Sequence, residues 1–321
     1  MTLCSKLLLP LWVKCSATKI KKSFYLNPNR QKIPRKKKNK MTIFECYQQT
    51  KKLLKDAGIV DSSFEARQII RYITKLSNNE IITHYADSLD MIKETMWKSV
   101  VTQRLNHYPL QYILGEWSFY GLNFYVGEGC LIPRADTETL VDTAFEFMKK
   151  NEKARVLDLC AGSGCIGITI ANRFKESTVT LVEKYDVPYS YCEKNIHKNS
   201  SETLSLVKAD VFDYIPDGKY DLIVSNPPYI NAKDMENLSE EVLKEPDSAL
   251  YGGEDGLDFY RVILRRYPEY VNDGGMIALE IGYDQKDSVI SLMEQAGLKD
   301  IGTAKDINGI HRVVYGTMIN V

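Results

Sequence analysis

From residue 155 onward the chain alternates short apolar runs with amphipathic ones, and that alternation leaves few folds open. Strand signals fall at 155–159, 178–182, 204–208, 220–225 and 275–281, and helix signals at 164–174, 187–198, 256–271 and 285–296. Such a series specifies an α/β fold, a parallel sheet covered by helices. The tail "HRVVYGTMI" (311–319) reads as a last strand, one that could pair antiparallel. The first strand runs straight into a glycine-rich turn and a helix, "RVLDLCAGSGCIGITIA". Gly162, Gly164 and Gly167 keep the G-x-G-x-x-G spacing that lets a ligand approach the backbone at a helix N-terminus, and Glu183 ends the next strand about twenty residues on, where an acid binds ribose hydroxyls. This much admits either a nicotinamide dinucleotide or S-adenosylmethionine.

Three other features separate those cofactors. Asp158 lies in the strand end, giving D-x-x-x-G-x-G, close to the D-x-G-x-G-x-G of methyltransferases but with Cys160 at the first glycine. An acid there can meet a methionyl ammonium and would repel a pyrophosphate. Asp210 ends the third strand, where class I methyltransferases hold the adenine amino group. The fourth strand ends in Asn226-Pro227-Pro228-Tyr229. One proline would suffice to stop a strand. Asn-Pro-Pro-Tyr after the fourth strand resembles the motif of methyltransferases acting on planar amide or amine nitrogens. The Asn226 side-chain oxygen and the Pro227 carbonyl can both accept hydrogen bonds from a planar NH2 group, whose nitrogen is a poor nucleophile because its lone pair is delocalised. Two acceptors fix that nitrogen and stabilise the positive charge that develops on it. Pro228 stiffens the loop, and Tyr229 offers a face for the planar group. The expected cofactor is S-adenosylmethionine, and the expected chemistry is methylation of an amide or amine nitrogen.

The preceding part is different in character. Residues 41–114 read as a small helical domain: "FECYQQTKKLLKDAGIV" has apolar residues at three- and four-residue spacing and stops at Ala57-Gly58, and further helices are expected from "DSSFEARQIIRYITKL", at 78–86 and at 88–107. Ser62 and Glu65 have the spacing of a capping box. The aromatic stretch "GEWSFYGLNFYVGEG" around Gly121 reads as a hairpin linker over 115–130, with the methyltransferase domain occupying 131–321.

Charge divides the chain as well. Residues 1–40 hold twelve Lys or Arg and no acid, so the remainder carries 30 basic and 42 acidic side chains, a formal −12. An acidic body speaks against a nonspecific nucleic-acid binder. The basic, acid-free segment has the composition of a mitochondrial transit peptide, with a disordered basic tail or a secretory signal as the other readings; a start at Met41 would leave a cytoplasmic form. The seven cysteines show no zinc-ligand spacing, so no metal is expected, and no apolar run approaches the ~20 residues of a membrane span. His107, His197 and His311 are isolated and read as surface or packing residues. Arg134 could orient a substrate or a loop carboxylate, or cap a turn.

Several motifs in order resemble one family. "PLQYILGEWSFYGLNFYVGEGCLIPRADTETLVD" (109–142) is similar to the linker and "LIPRPETE" signature of the HemK/PrmC family, "EPDSALYGGEDGLDFYR" (245–261) and "KDINGIHRVV" (305–314) to its later signatures, and "MTIFECYQQTKKLLKDAGI" to its N-terminal helical domain. The resemblance spans about 41–319 and implies a Rossmann-like class I methyltransferase domain preceded by a small all-α domain. It implies N5-methylation of the Gln in the Gly-Gly-Gln motif of a peptide chain release factor; a monomer is expected, with no membrane partner, and the acidic body speaks against nucleic acid. By residue, it implies that Asp158 and the loop Cys160, Ala161, Gly162, Ser163 and Gly164 wrap the methionyl part of the cofactor, and that Glu183 holds the ribose. Asp210 and Val211 would border the adenine, and Asn226, Pro227, Pro228 and Tyr229 would grip the substrate. Departures from the pattern are Cys160 for Gly, Ala135 for Pro, and Val211 where some members have an aromatic. Cys160 costs backbone freedom if its φ must be positive. The rival reading is a DNA or RNA adenine-N6 methyltransferase using the same clamp.

Overall fold

The computed structural model describes residues 40–199 and 204–319. Residues 1–39, nearly all of the segment on which the targeting expectation rests, lie outside the described residues. The first described elements are five helices: α1 (Ile43–Asp56), α2 (Ser62–Thr74), α3 (Asn78–Thr83), α4 (Met91–Leu105) and α5 (Leu110–Leu114). Capping boxes start two of them. Thr42 accepts from the Glu45 N–H at 3.2 Å while Glu45 accepts from that of Thr42 at 2.9 Å, and Ser77 and Glu80 do the same for α3. The box expected at Ser62 and Glu65 does not form: Asp61 is the N-cap residue, without a side-chain bond, and Ser62 is already helical. Glu65 instead accepts two bonds from Arg104, at 2.6 and 2.9 Å. A bidentate charged pair outweighs a single bond to a backbone N–H. The helix α4 starts at 91, not 88, because Asp90 caps it through the Lys93 N–H at 2.8 Å. Leu54, Ile69, Ile70, Ile73, Trp97 and Val100 form the core of this part.

The hairpin β1 (Glu116–Phe119) and β2 (Leu122–Tyr125) turns through Tyr120 and Gly121, whose φ values of 47° and 78° are those of a type I′ turn. One face of it serves two cores. Phe119 and Phe124 are buried with the sheet, whereas Trp117 packs on the helical core and meets Phe64 edge-on, centroids 6.3 Å apart.

The rest is a seven-stranded sheet with its covering helices. In chain order it contains α6 (Glu138–Met148), β3 (Arg155–Leu159), α7 (Cys165–Arg173), β4 (Thr178–Glu183), α8 (Asp186–Asn199), β5 (Leu204–Lys208), β6 (Tyr220–Ser225) and α9 (Ala232–Met235). There follow α10 (Asp258–Arg266), β7 (Val271–Glu280), α11 (Lys286–Gln295), β8 (Lys299–Lys305) and β9 (His311–Thr317). The spatial order is β5-β4-β3-β6-β7-β9-β8, parallel from β5 to β7 and antiparallel at the β9 and β8 edge. Alternate side chains go to opposite faces. Val156, Leu222, Val224 and Ala278 face a core with α6 and α7 residues, while Leu157, Leu159, Ile223 and Leu279 face one with Tyr260, Ile263, Val289 and Met293. This is the class I methyltransferase fold.

Further differences from expectation lie in the sheet domain. The helix expected over 256–271 ends at Arg266, where Tyr267-Pro268 leads out, so β7 begins at Val271 instead of 275. The strand β8, "KDIGTAK", carries no strand signal because a half-exposed edge strand needs few apolar residues.

Arg104 joins the helices to the segment after β6. It is 3% exposed and holds Glu65 of α2 and also Glu241, at 2.9 Å. Removing one partner of a buried pair leaves an uncompensated charge, so Arg104→Ala is expected to lose about 3 kcal/mol in urea unfolding. Glu241→Ala, whose carboxylate is 35% exposed, is expected to lose less than about 1 kcal/mol. Equal losses would contradict this reading.

Candidate active site

Strand order reverses between β3 and β6: β4 and β5 lie on one side, β7 on the other. The loops leaving these two strands therefore open a crevice, the usual ligand position in such sheets. After β3 the chain makes its turn through Cys160 at φ 60°, Gly162 at 58° and Gly164 at 79°. Cys160 adopts the left-handed conformation without glycine's freedom, at a cost on the order of 1 kcal/mol. A side chain at Gly164 would be strained by the positive φ, and its Cβ would crowd Cys192 Sγ at 2.7 Å. At Gly162 a Cβ would meet nothing, so the backbone there is open to a ligand.

Asp158 is fully buried under this turn and does not line the cleft. Its Oδ2 accepts from the Gly167 N–H at 2.9 Å, which fixes the start of α7, while Oδ1 has no partner among the protein atoms. Burial pushes its carboxyl up to about 7. The expected direct contact with an ammonium thus gives way to an anchor beneath the loop. Ala161 and Ser163 also support the turn from behind. The Ala161 N–H donates to Val182 O at 3.0 Å, and Ser163 O accepts from Asn195 Nδ2 at 2.9 Å. Asn195 in α8, which belongs to no sequence motif, also bonds the Tyr125 backbone of the hairpin in both directions, at 2.6 and 3.0 Å.

The cleft wall brings together Cys160, Gly162, Glu183, Asp210, Val211, Asn226 and Pro228; Pro227 is buried and Tyr229 half-buried, both outside that wall. Glu183 accepts from Gly162 N–H at 2.9 Å and Tyr185 N–H at 2.8 Å, and burial raises its pKa. Asp210 accepts from Phe212 N–H at 3.0 Å and pairs with Lys184 at 2.7 Å. Val211 is buried, its carbonyl taking the Tyr267 hydroxyl at 2.9 Å. The aromatic surface missing at Val211 is supplied one residue later by Phe212, edge-on to Phe259 at 5.1 Å. These residues fit S-adenosylmethionine. Glu183 has lone pairs left for a ribose diol, and Phe212 and Val211 offer an apolar wall for adenine. A pyrophosphate would meet the two carboxylates of Glu183 and Asp210 instead.

The clamp is held from three sides. Asn226 Nδ2 donates to Thr137 Oγ1 at 3.2 Å, which leaves Oδ1 as the free acceptor end of the carboxamide. Gln285 Nε2 donates to Tyr229 O at 2.9 Å and to Gly256 O at 3.2 Å, and its Oε1 accepts from Gly282 N–H at 2.9 Å. The segment after it runs against the loop: Ile230 N–H donates to Leu250 O at 2.8 Å, and a Cβ on Gly252 would lie 2.7 Å from Pro228 O. That close approach accounts for Gly252 of "YGGEDG", and Gly256 lies at least as close against Tyr229 O. Thr137 reads in the sequence only as part of a polar helix entrance within the LIPRPETE-like stretch, and Gln285 does not stand out at all, because the residues they brace are distant along the chain.

Arg134 takes the second of its three readings: it pairs with the buried Glu245, which also accepts from Ile132 N–H at 3.0 Å. His107 is 3.5 Å from exposed Glu240, His197 is exposed on α8, and His311 is half-buried in β9, so none faces the cleft. Among the described residues no group of three or more His, Cys, Asp or Glu could hold a metal, and no helix is long and apolar enough to cross a membrane.

Fold, turn and clamp together define an S-adenosylmethionine-dependent methyltransferase. Comparison with known proteins carries this further. The methyltransferase small domain family matches residues 137–256 and the PrmC N-terminal domain matches 45–115. The chain is 38% identical over 266 residues to the release factor glutamine methyltransferase of Clostridium botulinum, covering 82% of this chain and 94% of that one. It is 36% identical over 276 residues to that of Geobacter sulfurreducens, covering 86% and 96%. Among solved structures, the hMettl16 catalytic domain in complex with the MAT2A 3′UTR hairpin 6 superposes with a TM-score of 0.52 at 13% identity, over 72% of this chain and 83% of that one, a likeness of fold. The chain belongs to the HemK/PrmC family of release factor glutamine methyltransferases.

Losing the Glu183 carboxylate removes charge-assisted bonds to a diol, so Glu183→Ala is expected to weaken S-adenosylmethionine binding about tenfold or more in calorimetry. Unchanged affinity, or tight binding of NAD to the unaltered protein, would contradict the assignment of the cleft.

Proposed function

We propose that the protein methylates N5 of the glutamine in the Gly-Gly-Gln motif of a peptide chain release factor. The observation that carries this reading is the Asn226 carboxamide, whose nitrogen is engaged by Thr137 while its oxygen is left as an acceptor. The relatives' names supply the substrate class. A glutamine side chain presents an NH2 whose lone pair is delocalised into its carbonyl. Accepting both N–H groups, at Asn226 Oδ1 and the Pro227 carbonyl, fixes the nitrogen with its lone pair toward the cofactor and stabilises the cation that forms. Bound in the cleft, S-adenosylmethionine supplies an electrophilic methyl group. The alkylated amide nitrogen is strongly acidic and gives its proton to water, so no general base is needed.

Both neighbours of the glutamine are glycines, so recognition needs surface beyond the clamp. Helices α1 to α5 are the proposed second contact, held to the sheet domain by the hairpin. We also propose a mitochondrial location and an organelle release factor as substrate, on the composition of residues 1–40.

Asn226→Ala is expected to lower kcat on the intact factor about 100-fold while S-adenosylmethionine binding stays within about twofold. Turnover within about threefold of the unaltered enzyme would show that the clamp is not used. Methylation of DNA or RNA in place of the factor would transfer the assignment to the adenine-N6 reading. A fluorescent fusion of residues 1–40 is expected in mitochondria, and a cytosolic signal would contradict that location.

A further inference from the structure

The hairpin has two outer edges, and only one of them is closed. The Val126 N–H donates to Gly115 O at 3.2 Å, so these two residues face each other as a hydrogen-bonded pair. Bonded and non-bonded pairs alternate along an antiparallel ladder. The register sets Glu116 against Tyr125, Trp117 against Phe124 and Ser118 against Asn123. Trp117 and Phe124 are therefore the next bonded pair, and the backbone groups of Glu116, Ser118, Asn123 and Tyr125 point out of the hairpin. On the β2 side α8 takes up three of them. Asn195 accepts from the Tyr125 N–H at 2.6 Å and donates to Tyr125 O at 3.0 Å, and Asn199 Nδ2 donates to Asn123 O at 3.3 Å. On the β1 side the N–H and C=O groups of Glu116 and Ser118 have no partner among the described residues.

That open strand forms one side of a groove of about 720 Å³. The helix α2 forms the other, presenting Phe64, Gln68, Arg71 and Lys75 at the three- and four-residue spacing of a single helix face. From Phe64 to Lys75 the helix runs about 16 Å, the length of a strand of about five residues. The charged groups of the groove differ in what they hold. Glu116 pairs with Lys198 of α8 at 2.8 Å, and Glu80 accepts from the Ser77 N–H at 2.8 Å in its capping box. Arg71 donates to Gln68 Oε1 at 3.0 Å, and Lys75 Nζ lies 4.4 Å from the centre of the Tyr72 ring. Both cations are exposed, and neither has an acidic partner among the described residues. The apolar surface between them and the strand comes from Phe64 and Trp117, which meet edge-on.

We propose that an extended, acidic segment of the release factor docks in this groove as a third strand of the hairpin, pairing with Glu116 and Ser118 and setting its acids against Arg71 and Lys75. The identity of the partner rests on the function proposed above. Strand addition to an open edge draws affinity from main-chain bonds and selectivity from the side chains beside it. Here the selective elements are two cations and an aromatic pair, so a basic or wholly polar strand fits poorly. Only two residues of β1 face outward, which limits the main-chain bonds and makes the edge an aid to the clamp, not a substitute for it. The hairpin is suited to that division of work. It sends Phe119 and Phe124 into the sheet core and Trp117 onto the helical core, so a strand paired with β1 is held in fixed relation to the cleft.

The test uses the full chain with two substrates, the intact release factor and a short Gly-Gly-Gln peptide that carries no such segment. Proline is tolerated in an edge strand where the N–H it removes faces outward. Ser118→Pro therefore blocks the edge and keeps the ladder with β2. It is expected to raise KM for the intact factor about tenfold while kcat/KM for the peptide stays within about twofold. Arg71→Glu combined with Lys75→Glu leaves the backbone edge untouched and is expected to raise the same KM by a similar factor, less so at high salt. An unaltered KM in both variants overturns the proposal. Amide hydrogen exchange gives a readout that needs no methylation. Adding the intact factor is expected to slow exchange at the Glu116 and Ser118 N–H groups, and to leave Glu116 unprotected in Ser118→Pro. Exchange that the factor does not slow overturns the docking. Slowing that needs no factor and grows with the protein's own concentration assigns the edge to a second copy of this chain and overturns it as well. Protection by the factor with neither substrate methylated supports the docking and overturns only the functional reading.

Discussion

The parallel pairing of β3 with β6 is the constraint on which the site depends. Their register sets Leu159 against Ser225, and Ser225 Oγ donates to Leu159 O at 2.6 Å across the last rung. The next residues, Cys160 and Asn226, therefore leave the sheet at the same level and enter one cleft. One begins the loop proposed to receive the cofactor, the other the loop proposed to grip a substrate nitrogen. A register slip of one residue would turn both strands' side chains to the wrong faces and separate the two loops. The apolar layers on either side of these strands make such a slip expensive, which ties the chemistry to the core.

Around that cleft the protein keeps three carboxylates in places where charge is costly. Asp158, Glu183 and Glu280 are each at most 6% exposed, and burial raises the pKa of all three. Each is tied to something that matters for ligands. Asp158 holds the helix start below the glycine turn, Glu183 spans the turn and the Tyr185 backbone, and Glu280 ends β7 beside the strand that leads into the clamp. Buried ionisable groups of this kind cluster at functional sites. The strained Cys160 belongs to the same region, where local cost is tolerated because the surrounding sheet holds the loop in place.

Much of this is legible in the amino-acid sequence. The alternation of strands and helices, the glycine turn and the Asn-Pro-Pro-Tyr loop are local patterns, and the physics behind them acts within a few residues. What the sequence conceals is tertiary. Glu65 has capping-box spacing, yet Arg104, 39 residues away, draws it off. Thr137 orients Asn226 from 89 residues upstream, and Gln285 braces Tyr229 from 56 residues downstream. Asp158 resembles a ligand because its type and position suit one, but its distance below the surface is set by how closely α7 packs on β3. At the adenine end, Val211 lacks a ring while Phe212, its neighbour, carries one into the cleft. The edge strand β8 is hidden because half of it faces water.

The central claim is that one cleft couples a methyl donor to a glutamine amide. Tandem mass spectrometry of release factors from cells with and without this protein tests it directly. The expected result is a single methyl group on the side-chain nitrogen of the Gly-Gly-Gln glutamine, present in the first cells and absent in the second. A glutamine methylated equally in both, or unmethylated in both, would contradict it.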